Sequence, residues 1–75
     1  MDELDGDETP HLPDDLSQAL DETGAREGWE TYPPPFRAAA LAWIDAARTT
    51  AARSKRIDDV ARSARRGELP AALRD

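Results

Sequence analysis

The chain has 75 residues, no cysteine and a formal charge of −6. That length holds one domain at most, burying about 60% of the surface its unfolded chain exposes, and the missing cysteines exclude a disulfide framework and a thiolate metal site. The charge divides sharply, with eleven acids against Arg26 alone in residues 1–35 and nine Lys and Arg against five acids in residues 36–75, so the average says little about partners.

Residues 1–11 are acidic and polar, with Leu4 the one sizeable apolar side chain after Met1. They bury too little to offset the entropy of ordering and are expected to be a disordered acidic arm. Residues 12–75 are expected to form a single helical domain. Pro13 followed by Asp14 and Asp15 reads as a helix start, with the carboxylates favouring the positive end of the helix dipole. Leu16, Ala19 and Leu20 then fall at helical spacing, and Thr23-Gly24 supplies a stop.

A second short helix, about Ala25–Thr31, turns Trp29 inward, although Gly28 weakens it by about 1 kcal/mol relative to alanine. Pro33, Pro34 and Pro35 form a stiff corner. The third helix, about Pro34–Arg48, gathers Phe36, Ala40, Trp43, Ile44 and Ala47 into one sector, with Ala38, Ala42, Asp45 and Ala46 opposite. The fourth begins at Thr49 or Thr50 as N-cap and ends with Arg65-Arg66 before Gly67. Ile57, Val60, Ala61 and Ala64 repeat at i, i+3, i+4, i+7, so Trp43 and Ile57 are expected to share one apolar seam. Leu69, Pro70 and Leu73 are expected to fold back as a tail. No segment alternates apolar with polar, so the fold class is all-α, a small bundle of about four helices, two short and two longer. The aromatic residues Trp29, Tyr32, Phe36 and Trp43 are expected to hold its core.

The inventory for chemistry is thin. His11, the sole histidine, lies at the end of the expected arm, whereas a catalytic base must be held within reach of its proton. Asp5-Gly6-Asp7 lacks the ligand order of a calcium loop, and there is no phosphate loop or nucleophile turn. No catalytic residue, cofactor or metal site is therefore assigned.

Arg53 falls within the apolar sector of the fourth helix, one turn before Ile57. It has three readings: snorkelling to the rim, pairing with Asp14, Asp15, Asp21 or Glu22, or lining a pocket for an anion. Stacking on Trp43 would add cation–π attraction. Arg53, Arg56, Trp43 and Trp29 are the candidate structural or pocket residues. Lys55, Arg62 and Arg66, with Arg65 nearby, form an outward basic row and are the candidate partner-binding residues. Phosphate contact there would be salt-sensitive. Asp58 and Asp59 oppose it, and an Asp58–Arg62 pair on a solvated face is the plain alternative.

Read in order, Pro33-Pro34, Arg37, Trp43-Ile44, Ala47-Arg48, Arg53 and Lys55-Arg56-Ile57 resemble the YdeI/OmpD-associated, or bacteriocin-protection, family, over roughly Pro13 to Gly67. Pro13-x-Asp15-Leu16 and Ala19-Leu20 look like its opening helix. Trp29 stands where the family prefers an aromatic residue. The chain departs from the family pattern at Pro35, where a serine is common, at Ala40, where a tyrosine is common, and at Thr50-Ala51-Ala52, where Pro-Glu-Thr is common. The resemblance implies a helical unit that in relatives often follows another domain, with no established catalytic activity.

Together these features lead us to expect a binding or accessory module that is not an enzyme, with a protein partner still to be identified. Self-association through the alanine-rich side of the third helix is a further expectation. Binding of nucleic acid at low salt through the fourth helix is the alternative. No membrane insertion is expected, and the acidic N-terminus is unlike a secretory signal, so a cytoplasmic location follows as the default.

Overall fold

Residues 12–74 are described by a computed structural model; the expected arm, residues 1–11 with His11, lies outside them. Four α-helices follow in order: α1 (Asp14–Thr23), α2 (Arg26–Thr31), α3 (Pro34–Asp45) and α4 (Thr50–Arg65), then a 3₁₀ turn, Ala71–Leu73. There is no strand among the described residues, and no described helix is long and apolar enough to cross a membrane. The chain is all-α.

Local chemistry sets most boundaries. Pro13 caps α1 in extended geometry, and the Leu16 N–H donates to Asp15 Oδ1 at 2.9 Å. Gly24, at φ 69°, closes α1 in a left-handed turn, in which the Ala25 N–H reaches Leu20 O at 2.8 Å. Gly67, at φ 74°, closes α4 the same way, with Glu68 N donating to Ser63 O at 2.8 Å. Both are Schellman stops, in which a glycine accepts the positive φ without a Cβ penalty. Thr49 caps α4, its hydroxyl accepting from Ala52 N at 3.0 Å. Pro34 and Pro35 occupy the first turn of α3, where a missing N–H costs no helical bond.

The core is contributed by all four helices. Leu16, Leu20, Ala25, Trp29, Tyr32, Ala40, Ile44, Ile57, Val60, Ala61 and Ala64 are buried together. α4 packs against α1, α2 and α3 and is the common partner. Pro70 is buried and Leu69 and Leu73 pack against the core, so the tail folds back as expected. Tyr32 packs edge-on against Trp29, centroids 5.7 Å apart, and its hydroxyl donates to Glu68 O. Burial pushes the Tyr32 phenol up, which suits a group that must keep its proton to donate.

Two expectations require correction. α3 ends at Asp45 and not near Arg48. Continuing the helix would need Ala47 N–H on Trp43 O; instead Ala47 N–H turns back to Ile44 O at 3.1 Å, and Arg56 Nη1 takes Trp43 O at 2.6 Å. A cation is well placed there, against the negative end of the helix dipole. The aromatic set is not uniformly internal either. Phe36 is 44% exposed, and Trp43 is half-buried, packed against the cluster that contains Ile57 from its rim. Ala40 and Ile44 carry the buried side of α3 alone.

Candidate partner-binding surfaces

Arg53 resolves into the pairing reading. Its Nε and Nη2 donate to the two oxygens of Asp15 at 2.7 and 3.2 Å, and its Nη1 donates to Asp45 Oδ1 at 3.1 Å. One planar fork thus joins α1, α3 and α4, with the bidentate geometry that makes arginine–carboxylate pairs strong. The guanidinium holds the Asp15 carboxyl below its ordinary range, chiefly through those hydrogen bonds. Reciprocally, Asp15 and then Asp45 raise Arg53. Asp15 was among the four carboxylates open to it; Asp45 was not, and enters because α3 stops at that residue.

The cation over Trp43 is Arg56, not Arg53, with its guanidinium carbon 5.2 Å from the ring centroid. The same side chain caps α3 through Trp43 O, so ring and carbonyl are held by one residue. Trp29 is 4% exposed and is a core residue. These four positions are therefore occupied in joining helices.

The outward row differs along its length. Lys55 is exposed and makes no ion pair among the described residues. Arg62 lies 2.8 Å from Asp58 and 3.9 Å from Asp59, so the plain i, i+4 pairing holds. Arg66 approaches Glu68 only to 3.7 Å, while Arg74 reaches that carboxylate at 3.0 Å. The structure brings Arg62 and Arg66 to one groove, of about 310 Å³, between α4 and the tail; Lys55 is not part of its lining. Asp59, Ser63, Pro70, Ala71, Ala72 and Arg74 complete the walls. The sequence did not point to Ser63, which is 4% exposed on an otherwise apolar side of α4. Its spacing of three from Val60 was the available signal.

A second surface lies on α3. Pro35, Phe36, Ala38, Ala39, Ala42 and Ala46 are all exposed, and the one charge on that outer side, Asp45, is held by Arg53. An aromatic ring and a run of alanines facing water without an unpaired charge is uncommon on a small domain.

A family model described as "Bacteriocin-protection, YdeI or OmpD-Associated" matches residues 9–67. No curated protein and no solved structure shows a match to the chain.

Proposed function

The chain belongs to the bacteriocin-protection, YdeI or OmpD-associated family, and from that premise we propose that it is a cytoplasmic binding module with no catalytic activity of its own. It docks a protein partner through the outer side of α3, in the setting of the bacteriocin protection that the family description names or of envelope stress. The exposure of Phe36 beside Ala39, Ala42 and Ala46 carries this reading, because burying that ring and the small side chains around it would let a second helix approach closely.

Affinity capture from the native cell, with the wild-type chain and the double variant Phe36→Glu/Ala42→Glu side by side, tests the reading. A partner retained by the wild type at high salt and lost with the variant, while both show the same helical circular dichroism, is the expected result. Equal capture by the two chains would sink it. Sedimentation of the same pair reads self-association, the case in which the partner is a second copy. The alternative, nucleic-acid binding through α4, draws support from Lys55 and Arg65, which are exposed and make no ion pair among the described residues. Retention on DNA that falls with salt and disappears when Lys55, Arg62 and Arg66 are neutralised together would establish that reading instead.

A further inference from the structure

The groove beside the last turns of α4 holds polar groups that the ion pairs leave unused. Ser63 is 4% exposed, yet its hydroxyl has no hydrogen-bond partner among the described residues. The comparable hydroxyl of Thr23 on α1 donates to Ala19 O at 2.8 Å. A buried hydroxyl normally finds such a partner, because leaving one unpaired forfeits its hydration without replacement. Arg66 lines the same groove, and its nearest carboxylate oxygen, on Glu68, is 3.7 Å away, beyond hydrogen-bonding reach. A guanidinium offers five N–H donors; among the described residues Arg66 uses none of them on a hydrogen bond. Arg62 spends one amino group on Asp58. The carbonyls of Ser63 and Ala64, at the end of α4, are already occupied by Glu68 N–H and Gly67 N–H.

We propose that this groove binds a carboxylate carried on an acidic peptide. Arg62 and Arg66 receive the two oxygens, Ser63 donates its hydroxyl to one of them, and the apolar neighbour of the acidic residue rests on Ala71 and Ala72, both exposed on the groove wall. The site deepens the binding-module reading, on which it rests, by naming the chemistry of a second contact. A single negative charge fits better than a run of them. Asp59 lines the groove, Asp58 and Glu68 flank its arginines, and the whole chain carries −6, so a polyphosphate or a nucleic-acid backbone meets repulsion that one carboxylate avoids. A groove of about 310 Å³ also matches a side chain with its neighbours.

The test is an amide-shift titration of the full chain with a terminally blocked Leu-Glu-Leu peptide and its Leu-Gln-Leu counterpart. The glutamate peptide is expected to move the amides of Ser63, Arg66, Ala71 and Ala72, and the glutamine peptide to leave them in place. Arg66→Ala should weaken binding about tenfold and Ser63→Ala about threefold, whereas Arg48→Ala, the loss of an exposed cation remote from the groove, should change nothing. Equal response to both peptides would overturn the proposal. So would shifts spread over Lys55 and Arg65, or inorganic phosphate moving the same amides as strongly, since a simple anion would then suffice. If the peptide fails while capture through α3 persists, this site alone is lost.

Discussion

Arg53 carries one charge and reaches two carboxylates on two other helices, so its removal leaves Asp15 and Asp45 without their partner at once. Arg62 pairs within its own helix, where the neighbours are held together by α4 regardless. Arg53→Ala is therefore expected to lower the melting temperature by roughly twice as much as Arg62→Ala, or more, near neutral pH. Acid checks the cause. Asp15 is depressed by Arg53, so its contribution is fully present above the ordinary aspartate value, about 3.9, and is lost as pH falls through the lower folded value. The gap between the two variants should close in acid, and a gap that persists at about pH 2 would assign the effect to packing of the arginine stem instead. At this scale the sequence narrowed the partner of Arg53 to four carboxylates, Asp15 among them. It missed the exchange between Arg53 and Arg56 at Trp43, because residues three apart on a helix lie near enough in angle that a wheel does not separate them.

Between elements, the decisive residue is one whose side chain is absent. A Cβ at Gly28 would lie 1.9 Å from the Ala64 carbonyl oxygen, a backbone atom that no rotamer change can move. Gly28 therefore sets how closely α2 approaches α4, and the helix weakening read from the sequence is offset by that contact. Gly28→Ala gains about 1 kcal/mol of helix propensity and meets an overpacking cost at or above the top of the usual range of about 1–3 kcal/mol, given the 1.9 Å approach, so a net loss of about 2 kcal/mol or more is expected in denaturant titration. A stabilised variant would show that the two helices separate at little cost. The starts and stops of α1 and α4 were legible because Pro13, Gly24, Thr49 and Gly67 act within one turn of themselves. The end of α3 was not, because it depends on Arg56, which caps Trp43 O from thirteen residues further along the chain. Phe36 was misplaced for a related reason. The 3.6-residue period groups it with Ala40 and Trp43, but α3 is covered on too narrow an arc to bury that whole sector.

On the scale of the molecule, α4 is the one helix that packs against each of the other three. Removing any of them exposes part of the row Ile57, Val60, Ala61 and Ala64, all buried, so no pair of helices keeps a closed apolar surface by itself. Local opening should then be limited to the ends and global unfolding should be a single step. The two indoles provide separate reporters, Trp29 in the interior on α2 and Trp43 at the rim on α3. In the single-tryptophan variants Trp43→Phe and Trp29→Phe, fluorescence and far-ultraviolet circular dichroism should give one urea midpoint within each protein. An earlier fluorescence midpoint confined to the chain that keeps Trp43 would mean that α3 leaves the bundle on its own. The clamp of Arg53 on Asp45 and the cap of Arg56 on Trp43 O both argue against that, since each independently ties the C-terminal end of α3 to α4.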